Sequence, residues 1–363
     1  MKKLLVVVGT RPNFVKVTRF KEVAAIHGRV RIRSVHTGQQ TDARMTEVFM
    51  EQFGFVPDHR LNIPSGTQLS QLAQVVNGLD ALFTEERPDG VMVVGDVTST
   101  LGGALAANKA GLPLFHLESG LRSGDRTMPE EMNRRLTDRL ADHLFITEPS
   151  AAENLGKEGI DRVGIHFVGN TMIDTLVRFD ARIRSDDVLQ RMGWGEGGHV
   201  LLTMHRPATV DHPGRSAQAM DLIAAIASRR RTILPLHPRT EHHLARHGLL
   251  GRMGTIPGLI IAPPLDYFAF QRVLATSSVV ITDSGGVQEE CTFRGVPCLT
   301  LRDSTERPIT ITEGTNELVP LDVAVIHDRL DRIFGGDHKK GRVPELWDGH
   351  ATERVMDVLE RVL

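Results

Sequence analysis

Ile281-Thr282-Asp283-Ser284-Gly285-Gly286-Val287-Gln288-Glu289-Glu290 reads as the end of an apolar strand, a Ser-Gly-Gly turn and the start of a helix. Glycines at such a turn let the backbone approach a ligand with no Cβ in the way. The amides of a first helical turn lack intrahelical partners, and the helix start carries roughly half a positive charge. Both favour a phosphate. Glu290 falls about one and a half turns into the helix, where a carboxylate can reach the diol of a ribose. An ordinary strand–helix turn can also carry Ser-Gly-Gly, so the rest of the chain decides the reading.

Outward from this turn, short apolar runs alternate with longer amphipathic segments. Strands are expected at 4–8, 31–36, 90–94, 114–117, 143–146 and 166–168. A second series is expected at 200–204, 232–236, 259–261, 278–282, 298–301 and 317–318. Helices fit 14–27, 68–86, 99–110, 130–141 and 268–275. Strands without clean alternation, separated by helices, indicate parallel sheets covered on both faces. The pattern occurs twice, with a change near Gly169. The expected fold is α/β, with two doubly wound Rossmann-like domains facing a cleft. Residues 1–169 form the first and 170–350 the second, and 351–363 read as a helix with the option of crossing back to the first. Ligands bind beyond the carboxyl ends of such strands, which places the expected site in the cleft.

The chain has 363 residues, enough for about two domains. With 40% hydrophobic and 24% charged residues it has an ordinary globular composition. A formal net charge of −2 gives no reason to expect nucleic acid or an anionic membrane as partner. Cys291 and Cys298 belong to no CxxC pair, so neither a disulfide framework nor a structural zinc site is expected, which suits a reducing compartment. The apolar run at 4–8 is shorter than a signal-peptide core and reads as the first buried strand. No run of about 18 apolar residues predicts a membrane span. The turn Gly9-Thr10-Arg11-Pro12 lacks the GxGxxG fingerprint, which disfavours NAD. No cofactor and no metal are expected.

The turns after the strands concentrate chemistry. Arg11 follows the first strand, with Pro12 suited to a first helical position and Lys16 one turn on. Asp96 ends the strand at 90–94, either as a cleft-facing base or as a helix cap. Alternation puts His116 and Glu118 on one side, and Glu118 lies close enough in sequence to Arg122 for a structural ion pair. Glu130 and Glu131 open a helix, where dipole effects alone favour acids. His205 and His237 end strands in the second half, and a histidine titrates near neutrality. Two histidines, three carboxylates and several arginines at the carboxyl ends of parallel strands are hard to explain as packing.

In combination these motifs resemble the non-hydrolysing UDP-N-acetylglucosamine 2-epimerases over nearly the whole chain. The shared stretches are Gly9-Thr10-Arg11-Pro12, Thr37-Gly38-Gln39, Gly95-Asp96, His116-Leu117-Glu118-Ser119-Gly120-Leu121-Arg122, Pro129-Glu130-Glu131, Asn133-Arg134, Val168-Gly169-Asn170, His205-Arg206, Asp283 to Glu290, and Arg302-Asp303-Ser304-Thr305-Glu306-Arg307-Pro308. The resemblance implies a GT-B-like fold and inversion at carbon 2 of a UDP-sugar, by elimination of UDP to a 2-acetamidoglucal and re-addition. It implies Asp96, Glu118, Glu131 and His205 as the catalytic set, with Asp96 and Glu118 handling protons at the ring. Arg11, Ser284, Gly285 and Gly286 are then expected to hold the diphosphate, Glu290 the ribose and Phe270 the uracil. Lys16, Arg122, Arg134, His237 and Arg307 complete the expected substrate-binding set, while a core role for Phe270 stays open. A cytoplasmic homodimer serving cell-surface polysaccharide synthesis is implied by the resemblance alone.

Departures from the pattern are Gln40 in place of a histidine, Pro207-Ala208-Thr209-Val210-Asp211 after His205-Arg206, and Pro149 near a familiar Pro-Thr pair. The first puts allosteric activation in question, and the second leaves the exact sugar open. A UDP-2,3-diacetamido-uronic acid is an alternative substrate. A hydrolysing epimerase, a GT-B glycosyltransferase and a non-catalytic UDP-sugar sensor are the competing activities.

Overall fold

A computed structural model of the chain describes residues 1–39, 43–195 and 197–363. The chain divides into two compact units: Met1–Phe179 with Glu345–Leu363, and Asp180–Pro344.

The first unit is built on β1 (Lys2–Val8), β2 (Val30–His36), β3 (His59–Arg60), β4 (Gly90–Val94), β5 (Leu114–Leu117), β6 (His143–Ile146) and β7 (Ile165–Phe167). Their order is β3-β2-β1-β4-β5-β6-β7, and all pairs are parallel. β1 and β4 are apolar without alternation because both faces of the central strands are covered. The Gln68–Glu86 helix sends Val75, Leu79, Leu82 and Phe83 into a core with Val91, Val93 and Leu114. It lies close to the Thr98–Lys109 helix because residue 102 is glycine. A Cβ there would fall 2.5 Å from Val75 Cγ1.

The second unit is built on β8 (Val200–Thr203), β9 (Thr232–Pro235), β10 (Leu259–Ala262), β11 (Val279–Thr282), β12 (Cys298–Thr300) and β13 (Asn316–Leu318). Its order, β10-β9-β8-β11-β12-β13, is again parallel throughout and is the doubly wound Rossmann order. Val200, Leu202, Val279 and Ile281 form the centre of its core with Met220, Ile223 and Ile226 of the Pro213–Arg229 helix.

All the strands read from the sequence form, with ends shifted by a residue or so. β3 went unread because two residues carry no periodicity. The expected helix over 14–27 is two helices, Arg11–Val17 and Phe20–His27. They part at Thr18, whose hydroxyl bonds back to Val15 O at 3.3 Å and meets Thr175 Oγ1 at 2.6 Å.

The division between units falls after Phe179 rather than at Gly169, and 345–350 belong with the first unit. The Thr171–Arg178 helix is tied to the first unit by Thr175 Oγ1, which donates to Val15 O at 2.5 Å. From the same helix, Asp174 caps the Ala351–Val362 helix, accepting from the Ala351 and Thr352 amides at 3.0 and 2.6 Å. Trp347, 1% exposed, donates from Nε1 to Thr147 O at 3.0 Å. These contacts are non-local, so the sequence patterns on either side of Gly169 did not reveal them.

Candidate functional site

In each sheet the strand order reverses at one point, β1/β4 in the first unit and β8/β11 in the second. Loops leaving the two strands there run in opposite directions and open a crevice at their carboxyl ends. Gly9-Thr10-Arg11 and Gly95-Asp96 stand at the first switch point, His205-Arg206 and Asp283-Ser284-Gly285 at the second.

In the first unit, Asn13 fastens the β1 turn. Its Oδ1 accepts from the Gly9 and Thr10 amides, each at 3.1 Å, and its Nδ2 donates to Val94 O at 3.1 Å. Arg11 opens the helix that carries Lys16. Lys16 pairs with Glu118, both buried. The expected alternative partner for Glu118, Arg122, is elsewhere. Glu118 takes φ +67, in the left-handed region that costs a side-chain-bearing residue roughly 1–3 kcal/mol. A Cβ at Gly95 would lie 3.4 Å from Glu118 Oε2, so this carboxylate adjoins the Gly95-Asp96 turn.

Asp96 pairs with Arg134, whose Nη1 also donates to Glu131 Oε2 at 2.8 Å. Glu131 is fully buried. Its Oε2 accepts in addition from the Ser123 amide at 2.9 Å and the Ser123 hydroxyl at 3.0 Å, while Oε1 has no partner among the described residues. One guanidinium therefore joins two of the expected catalytic carboxylates, with Glu118 and Lys16 beside them. Behind this group, His116 bonds Asp138 Oδ1 at 2.6 Å through Nδ1 and Gly95 O at 2.7 Å through Nε2. Arg122, expected to bind substrate, has partners within the unit. It reaches Glu158 at 3.0 and 2.7 Å, Asp138 at 2.7 Å and Leu121 O at 2.8 Å. Burial lowers the Arg122 pKa, but Glu158 and Asp138 outweigh that and raise it.

In the second unit, the buried Asp283 carboxylate gathers the β8 turn. It accepts from the His205 amide at 3.1 and 2.9 Å and from the Arg206 amide at 2.9 Å, and Oδ1 lies 3.1 Å from His205 Nδ1. Burial pushes the Asp283 pKa up, but these bonds prevail and hold it below the usual carboxylate range. The His237 ring lies 5.1 Å from that of His205, and its Nδ1 accepts from the Arg239 amide at 3.1 Å to cap the Pro238–Arg246 helix.

Ser284, Gly285 and Gly286 start the Gly285–Arg294 helix, and the Ser284 side chain makes no capping bond. A Cβ at Gly285 would fall 2.7 Å from Arg307 Nη1 and 2.8 Å from Glu306 Oε1, so only glycine lets the helix start approach them. Arg307 is held by Glu289 at 2.6 Å and Glu306 at 2.8 Å. Glu306 also meets Arg302 at 2.9 Å and Arg206 at 3.6 Å. Three guanidinium groups thus share two carboxylates near a helix N-terminus, a setting that favours an anion. Glu290 is buried on the same helix and acts with burial to raise the Tyr267 hydroxyl pKa. Phe270 is half-buried and packs against the core around Val273 and Val287. Gln40 lies outside the described residues. Among the described residues no group of three or more His, Cys, Asp or Glu is placed to hold a metal ion.

Asp283 and Arg302 enter the site though sequence reasoning gave them no role. Asp283 was visible as the residue ending a strand at the turn, but its partner lies 78 positions away.

The first unit thus carries clustered carboxylates, and the second a glycine-flanked helix start beside guanidinium groups. A sequence model of the family described as UDP-N-acetylglucosamine 2-epimerase matches residues 24–360. A Pseudomonas aeruginosa protein named UDP-2,3-diacetamido-2,3-dideoxy-D-glucuronate 2-epimerase is 37% identical over 94% of this chain and 98% of its own. A Methanococcus maripaludis UDP-N-acetylglucosamine 2-epimerase is 36% identical over 92% of each chain. The crystal structure of Methanocaldococcus jannaschii UDP-GlcNAc 2-epimerase in complex with UDP-GlcNAc and UDP superposes with a TM-score of 0.90, at 31% identity and 99% coverage of both chains. The chain belongs to the UDP-N-acetylglucosamine 2-epimerase family and is an isomerase.

Proposed function

We propose that this protein inverts carbon 2 of a UDP-linked 2-acetamido sugar: it eliminates UDP to a 2-acetamidoglucal, then adds UDP back at carbon 1 and a proton to the opposite face of carbon 2. The grouping of Asp96, Glu131 and Glu118 around Arg134 and Lys16 carries the reading. The proton on carbon 2 is weakly acidic, and inversion requires its removal from one face and return to the other, so two placed acid/base groups are needed. Asp96 and Glu118 take these roles. Lys16 lies beside Glu118 and Arg134 beside Asp96, and each cation fixes the position of its carboxylate.

Departing UDP needs donors already aimed at its developing charge. The Ser284-Gly285-Gly286 helix start, Arg307 and Arg11 supply them, His205 exchanges a proton with the leaving group, Glu290 takes the ribose and Phe270 the uracil. His237 supports the His205 ring. The sequence as written is redox-neutral and calls for no nicotinamide.

Two substrates are in contention, because one relative is named for UDP-N-acetylglucosamine and another for the diacetamido glucuronate. Following the anomeric proton signals of each compound with purified protein tests the reading. Epimer formation from one of them supports it, and steady release of free UDP with a free sugar favours a hydrolysing enzyme instead. No change in either compound contradicts it. The reading includes a cytoplasmic homodimer, which light scattering and cell fractionation would check.

A further inference from the structure

Asp283 is fully buried, yet its carboxylate meets three groups of one turn: the His205 amide, the Arg206 amide and the His205 ring at Nδ1. An ionised carboxylate can only accept hydrogen bonds. The nitrogen facing it at 3.1 Å therefore donates, and in a neutral ring the lone pair is then left on Nε2. The neighbouring His237 ring accepts from the Arg239 amide through its own Nδ1. The His205 side chain is 36% exposed while Asp283 is not exposed at all, so the carboxylate supports the ring from the interior.

We propose that Asp283 is a positioning residue for catalysis: it fixes the Nδ1–H tautomer of His205 and presents Nε2 as the atom through which the ring exchanges a proton. The part Asp283 plays in turnover rests on the epimerase reading; the tautomer rests on geometry alone.

The direct test is long-range nitrogen–proton NMR of protein labelled with nitrogen-15 histidine. The His205 signals are assigned by their loss in His205→Gln. The wild-type ring is expected to carry its proton on Nδ1 in the absence of substrate. A proton on Nε2 overturns the proposal, whether or not the protein proves to be an epimerase. An Nδ1–H ring in a protein that leaves every UDP-sugar unchanged supports the tautomer and contradicts only the epimerase reading.

Asp283→Asn supplies the second arm. The amide oxygen of asparagine can still accept from the backbone, but its NH2 turns toward Nδ1 and moves the ring proton to Nε2. The expected result is a fall in kcat of ~10²–10⁴-fold with KM and UDP affinity little changed. Unaltered turnover by a folded, UDP-binding Asp283→Asn protein overturns the proposal. If that variant does not fold, the wild-type tautomer still decides.

Discussion

Arg134 donates from Nη1 to Oε2 of Glu131 at 2.8 Å, leaving the other oxygen of that fully buried carboxylate without a partner among the described residues. The same guanidinium pairs with Asp96. Replacing it removes the charge that two carboxylates share. Arg134→Met is expected to abolish epimerisation and to destabilise the fold by ~3–5 kcal/mol, since breaking a buried pair strands a charge. Urea unfolding at neutral pH checks the second part, and a loss below ~1 kcal/mol would show that Glu131 finds another partner.

Glu118 combines a left-handed backbone with an ion pair to Lys16. A glutamine keeps the size and loses the base. Glu118→Gln is expected to lower turnover at least ~10²-fold while UDP affinity, measured by calorimetry, stays within error. Equal loss of both would assign Glu118 to the architecture of the turn.

Gly285 sits where a Cβ would strike Arg307 and Glu306, which are themselves held by ion pairs. Gly285→Ala should weaken UDP binding ~10-fold or more, as the helix start or Arg307 is displaced. The carboxylate cluster of the first unit should be untouched. Unchanged affinity would place the diphosphate away from this helix.

His36 is buried at the end of β2, and burial, then the Arg60 charge, lower its pKa to about 4 despite a bond with the Gly9 backbone. An unfolded histidine titrates near 6.5. Between these values the unfolded chain binds the extra proton, so stability rises with pH and is lost as pH falls from 6.5 toward 4, by up to roughly 3 kcal/mol. His36→Leu should flatten that part of the stability–pH curve in urea titrations. Parallel curves would show that His36 is protonated as easily folded as unfolded.

The strands were legible because unbroken apolar runs such as Leu4-Leu5-Val6-Val7-Val8 and Val91-Met92-Val93-Val94 suit a buried parallel sheet and little else. The site's ingredients were legible as polar residues at strand ends. Their pairings were not. Nothing local says that Lys16 rather than Arg122 meets Glu118, because the pair spans 102 positions. Arg122 looked like a ligand from its motif, yet Glu158 and Asp138 claim it through folding of the Pro129–Leu140 and Pro149–Lys157 helices nearby. Glu118 gave no warning of its positive φ, which sequence signals only when the residue is glycine or asparagine. The unit boundary was misplaced because Gly169 marks a real turn, at φ +87, while Asp174 and Thr175 tie the helix after it back to the first unit.

The proposed reaction turns on removal of the carbon-2 proton by a carboxylate. Proton NMR of the reaction in deuterium oxide, run on both candidate UDP-sugars, tests it most directly. The account predicts deuterium at carbon 2 of the accumulating epimer, and no label with Glu118→Gln. An epimer that forms while retaining its original proton would contradict it.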